Sequence, residues 1–109
     1  LRLSKDDFRS LLHQSMTRQI SKADADEMVA SSDAELIDVR LPSEYQLQHI
    51  AGARNLPLYL LRMKLAGLPQ NKPYVVYCDS GRRSSVAAFI MTQKGFDVRV
   101  LDSQELNRR

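Results

Sequence analysis

The run Tyr74-Val75-Val76-Tyr77 constrains the fold most, because it is four β-prone residues with no break. A second apolar run, Glu35 to Val39, places Leu36, Ile37 and Val39 around Asp38 and also reads as a buried strand. Phe96 to Leu101, with Val98 and Val100 alternating, makes a final strand, and Arg18-Gln19-Ile20 a short early one. Helical segments lie between them. Phe8, Leu11, Leu12 and Met16 fall at helical spacing behind Ser4 as N-cap. Ser21 opens a second helix, with Asp24 three residues on as an approximate capping box. Pro42 starts a short helix through Tyr45 and Leu47, and an apolar-rich helix is expected over Leu58 to Leu65. Ser84 to Lys94 is a further helix, stopped by Gly95. His49 to Ala53 reads as a brief extended piece with a glycine turn. Strands alternating with helices give an α/β fold with a mostly parallel central sheet.

A chain of 109 residues makes one domain, and 43% hydrophobic residues are enough for a core. No apolar run approaches the roughly 20 residues needed to cross a bilayer; the longest, Leu56 to Leu61, contains Pro57. No membrane contact is expected. The chain opens on Leu1 without a charged-then-apolar leader, so it reads as part of a longer protein with a cytoplasmic setting. The net charge of +3 is mild and its charges are interspersed, and only 6% of residues are aromatic. A nucleic-acid binder shows a basic stripe with stacking aromatics, so no nucleic-acid partner is expected. The single cysteine, Cys78, excludes an internal disulfide, and with only His13 and His49 beside it no zinc site is expected.

Cys78-Asp79-Ser80-Gly81-Arg82-Arg83 joins the clearest strand to a helix starting near Ser84. Ligands of open α/β sheets bind at the carboxyl ends of strands, where such loops sit. A helix start offers unpaired N–H groups and partial positive charge, and Gly81 lets the loop turn those groups inward. At their focus Cys78 becomes a nucleophile, because the amides, Arg82 and Arg83 all favour the thiolate. Against this stands the plainer reading of a buried strand-end cysteine, a turn glycine and a solvated arginine pair. The three features together in a strand–loop–helix setting favour chemistry.

The segment Cys78 to Ser84 resembles the rhodanese active-site loop, C-x-x-G-x-R-S. Asp38-Val39-Arg40 followed by Glu44-Tyr45 is similar to that family's D-V-R-x-x-x-E-[YF] segment. His49 to Pro57 resembles its H-I-x-G-A-x-N-[IL]-P segment. The three motifs stand in the family's order and cover about residues 18–102. The resemblance implies a three-layer α/β/α rhodanese-like domain of the single-domain sulfurtransferase type, with no cofactor. It implies that Cys78 takes a sulfane sulfur from thiosulfate or a similar small anionic donor, as a persulfide, and passes it to a thiol or protein acceptor. Arg83, with Arg82, would bind the donor's anionic group, in a loop completed by Asp79, Ser80, Gly81 and Ser84. Asp38 and Arg40 are expected near the loop in a supporting role, and His49 as a brace for its turn.

Two departures from the family pattern stand out. Leu101 is followed by Asp102-Ser103-Gln104 instead of a glycine pair and an aromatic-bearing helix, so the terminal element of the 17–109 domain reads as altered or truncated. Residues 1–16 form an N-terminal helical extension that resembles the end of a cyclic-nucleotide-binding domain, which implies such a domain upstream. Two other functions compete with sulfur transfer: a regulatory or redox-sensing module acting through Cys78, and a cysteine-based phosphatase. Retention of the cysteine favours the enzyme over the module. The count of six residues from Cys78 to Arg83 favours the sulfurtransferase over the wider phosphatase loop.

Overall fold

All four residues of β4 (Tyr74–Tyr77) are buried, and a strand apolar on both faces needs cover on both. The structure, a computed structural model, describes residues 19–102. It sets β2 (Glu35–Asp38) along one edge of β4 and β5 (Val98–Leu101) along the other. Beyond β5 lies β1 (Gln19–Ile20), and beyond β2 lies β3 (Arg54–Asn55), giving the order β1-β5-β4-β2-β3. Every pairing is parallel, with Leu36 beside Val75 and Val76 beside Val100.

Alternate side chains of a strand leave on opposite faces, and the core divides accordingly. Tyr74 and Val76 join Ile37, Val98 and Val100 on one face, under Ala87, Ala88 and Met91 of α4 (Arg82–Gln93). Leu61 and Leu65 close the same side. Val75 and Tyr77 join Leu36 and Leu101 on the other face, under Ala25 and Met28 of α1 (Lys22–Ser32) and Tyr45 of α2 (Pro42–Leu47). The expected three layers are therefore present.

The caps explain most boundaries. The Ser21 hydroxyl accepts from Asp24 N–H at 3.1 Å and starts α1. Pro42 stands at the first position of α2, where its missing N–H costs nothing. Gly95, at φ +95°, ends α4, and Phe96 N–H returns to Met91 O at 3.0 Å. That return delays β5 to Val98, two residues later than expected.

Other boundaries differ more. The helix expected over Leu58 to Leu65 is a 3₁₀ turn (Leu58–Leu60), one α turn, α3 (Leu61–Lys64), and a second 3₁₀ turn (Leu65–Gly67). Only Leu61 and Leu65 are buried there, so one turn of α-helix has an anchor and its flanks tighten. The extended piece expected at His49 to Ala53 is a turn at Ala51-Gly52, and the strand is β3, just after it. Two residues carry too little alternation to be read in advance. The helix α4 begins at Arg82 and not near Ser84. The helix expected over Ser4 to Met16, with its resemblance to a nucleotide-sensing domain, and the segment after Asp102 lie outside the described residues. Among the described residues no helix is long and apolar enough to cross a membrane.

Candidate active site

Cys78 follows β4 directly, and the two-residue period turns it to the α4 face, where it is 1% exposed. Gly81 then takes φ +86°, a left-handed conformation closed to most side chains, and α4 starts on the next residue. This reversal brings two backbone donors onto one atom. Gly81 N–H reaches Cys78 Sγ at 3.0 Å and Ser84 N–H at 3.3 Å. The thiol in turn donates to Ser84 Oγ at 3.4 Å, and Ser84 is fully buried. Ser80 Oγ accepts from Arg82 N–H at 3.5 Å, at the limit of a hydrogen bond. The sulfur is thus the acceptor for orphan N–H groups at a helix start, an arrangement suited to negative charge on that atom.

Arg83 departs from the expectation of a cation open to a donor. Its Nη1 donates to Glu44 Oε1 at 2.7 Å, and its Nη2 to Glu44 Oε2 at 3.1 Å and Asp79 Oδ1 at 3.0 Å. Arg83 stands in the first turn of α4, where it meets Asp79 of the preceding loop and Glu44 of α2. Glu44 is fixed for the contact, since its Oε1 also accepts Leu41 N–H at 2.8 Å. Arg82 is exposed, and among the described residues its guanidinium forms no ion pair.

The bidentate contact with Arg83, then the Leu41 N–H, hold the Glu44 carboxyl down at about 2. The same contact raises the Arg83 guanidinium further above its ordinary value. A carboxyl with a lowered folded-state pKa adds stability that is complete above its unfolded value, about 4.5, and disappears as pH falls through about 2. Thermal melts taken across that window should show a smaller acid loss for Glu44→Gln than for the parent. Parallel curves would mean that the Glu44–Arg83 pair contributes nothing to folding.

Asp38 and Arg40 end the strand next to the one that leads into Cys78, and they form a structural pair there. Asp38 pairs with Tyr77 across β2 and β4, so its side chain leaves on the face opposite Cys78. Fully buried, it accepts from Arg40 N–H at 2.9 Å, Nε at 3.0 and 3.1 Å, and Nη2 at 2.9 Å. Arg40 also donates to Gln48 O and stands 5.9 Å from the Tyr77 ring centroid. Among the described residues, no hydrogen bond joins either side chain to residues 78–84. His49 shares a hydrogen bond of 2.8 Å with Tyr45 O and stacks on the Tyr45 ring at 3.7 Å.

Two residues of the motifs had no assigned role and carry the local architecture. Glu44 connects α2 to the cysteine loop, and its place three residues after Leu41 is the spacing of a helix-start acid. Asn55 Nδ2 donates to Asp38 O at 3.0 Å and Arg40 O at 3.1 Å, fixing the end of β2. Among the described residues no cluster of His, Cys, Asp or Glu could hold a metal ion.

A family profile described as "Rhodanese-like domain" matches residues 21–103. The chain belongs to that family. It is similar to "Thiosulfate sulfurtransferase PspE" of Escherichia coli, with 40% identity over 62 residues, covering 55% of this chain and 60% of that protein. It is 32% identical over 82 residues to a "Sulfurtransferase" of Allochromatium vinosum, covering 74% of this chain and 77% of that one. A crystal structure of a rhodanese-related protein from Thermoplasma volcanium superposes with a TM-score of 0.73 at 30% identity, over 83% of this chain and 91% of that one. The chain spans about half to three fifths of the length of two curated relatives that it matches over 62 residues. Within the rhodanese-like domain, all of the loop from Cys78 to Ser84 falls inside the matched range.

Proposed function

We propose that this rhodanese-like domain is a sulfurtransferase that carries a sulfane sulfur on Cys78. The carrying observation is the pair of N–H groups, from Gly81 and Ser84, aimed at one buried sulfur. In the loading step the Cys78 thiolate attacks the outer sulfur of a donor. For thiosulfate the S–S bond breaks, sulfite leaves with the bonding pair, and a persulfide anion remains on Cys78. A thiol or protein acceptor then attacks the terminal sulfur, and the Cys78 thiolate returns. No oxidant is consumed, and one cysteine suffices because the acceptor brings its own nucleophile. The backbone donors would hold the anionic sulfur in both states, as an oxyanion hole holds oxygen.

The ion pairs of Arg83 favour a different division of labour between the two arginines from the one the motif implies. With Arg83 joined to Glu44 and Asp79, Arg83 braces the loop, and Arg82 and the backbone are left for the donor's anionic end. Incubation with thiosulfate followed by intact-mass and peptide measurement tests the core of the proposal. One added sulfur atom, located on Cys78, is the expected result. A chain that gains no sulfur from thiosulfate or an organic persulfide would overturn it.

A further inference from the structure

The hydrogen bonds that meet Cys78 Sγ are not alike. Gly81 N–H and Ser84 N–H point at the sulfur from 3.0 and 3.3 Å, and a backbone N–H can only donate. The third partner, Ser84 Oγ at 3.4 Å, is a hydroxyl, which can donate or accept. With Cys78 as a thiol, the S–H donates to that oxygen. With Cys78 as a thiolate there is no S–H, and the hydroxyl can turn its own hydrogen to the sulfur. The two sides of the sulfur differ as well. Gly81 stands at the partly exposed mouth of the loop, whereas Ser84 is wholly buried in the first turn of α4. A sulfur added to Cys78 must stay within reach of an acceptor, so it points toward the mouth and away from Ser84. The Ser84 hydroxyl therefore stays with the inner sulfur through the whole cycle.

On the sulfurtransferase reading above, we propose that Ser84 is a catalytic residue of the discharge step, its hydroxyl donating to Cys78 Sγ as that sulfur departs. In discharge the acceptor attacks the outer sulfur of the persulfide. The S–S bond breaks, Cys78 leaves with the bonding pair, and negative charge falls on the atom that Ser84 touches. A thiol whose anion is better stabilised leaves faster and attacks more slowly. The hydroxyl thus speeds discharge and does not speed loading, in which Cys78 gives up its charge. The step needs no co-reactant and no proton transfer. The hydroxyl turns about its Cβ–Oγ bond and keeps its hydrogen.

The test uses the full chain, with the persulfide of glutathione to load Cys78 and cyanide to discharge it as thiocyanate. Each half-reaction is followed in a single turnover, under the same conditions for every variant. Loading is read on its alkaline plateau, where further base no longer speeds it. Ser84→Ala removes the hydroxyl and keeps the backbone N–H, so the loop retains both amide contacts. Discharge should slow by about three- to tenfold, the part of a charged hydrogen bond that is felt in the transition state. Loading should hold or rise by up to about threefold, so the ratio of discharge to loading falls by about tenfold. A general loosening of the loop slows both halves and leaves the ratio in place, so a merely structural Ser84 would not move it. Ser84→Thr keeps an Oγ and should bring the ratio back to within about twofold of the parent, whatever its absolute rates. A Ser84→Ala ratio equal to the parent's, or a Ser84→Thr ratio as low as that of the alanine variant, would overturn the inference while sulfur transfer stands. A parent that takes no sulfur from the persulfide would overturn the sulfurtransferase reading and this inference with it.

Discussion

Cys78→Ser is expected to remove sulfur transfer by at least about a thousandfold while leaving the domain folded. A serine oxygen can accept both N–H groups that now meet the sulfur, from Gly81 at 3.0 Å and Ser84 at 3.3 Å. The loop therefore keeps its donors satisfied, and the exchange costs little in buried hydrogen bonds. What is lost is chemical. An alcohol at neutral pH is a far weaker nucleophile than a thiolate, and it cannot bind a sulfane sulfur as a stable persulfide. Steady-state transfer from a persulfide donor to a thiol acceptor measures the activity, and circular dichroism with a thermal melt measures the fold. Measurable turnover in a folded serine variant would move the carrier off this residue. A variant that fails to fold would instead show that the thiol is part of the core, in which case Cys78→Ala at low temperature repeats the activity test.

The sheet and its two coverings were legible because strand and helix periods differ so plainly in this chain. Tyr74 to Tyr77 and Leu36 to Val39 are apolar at nearly every position, as strands buried on both faces must be. The pieces that escaped are short. β3 has two residues, and α3 is one turn between two 3₁₀ turns, so neither supplies a repeat for a pattern to appear. The cysteine and its glycine were legible as a pair, because a strand end, a left-handed residue and a helix start follow in sequence. The partners of the arginines were not. Arg83 meets Glu44 from 39 positions away, and nothing in the local sequence states that α2 packs against the start of α4. The face occupied by Asp38 follows from the two-residue period only once the register of β2 against β4 is known. Counting back from the strand-end cysteine fixes Tyr77 on the far face, and the strand register then takes Asp38 there with it.

That placement gives Asp38→Ala a distinct expected outcome: a large loss of stability without a matching loss of chemistry. The Asp38 side chain is wholly buried and satisfies four donor contacts from Arg40, one of them from the backbone. Removing one partner of a buried pair strands the other charge, a loss of roughly 3–5 kcal/mol. The Arg40 side chain keeps 16% of its surface in solvent and can turn partly outward, so about 3 kcal/mol is the reasonable figure here. In a domain of this size that corresponds to a fall in Tm on the order of 15 °C. Asp38→Asn retains an acceptor for Arg40 N–H and should lose clearly less. Denaturant unfolding gives the energies, and sulfur loading at low temperature, where both variants are still folded, gives the chemistry. Because Asp38 stands on the face opposite Cys78, loading per folded molecule should stay within about twofold of the parent. A collapse of loading in folded Asp38→Asn, with stability nearly intact, would show that this carboxylate acts on the sulfur after all. The link to the sulfur would then run through Arg40 and Glu44, whose charges are close enough for each to shift the other's titration.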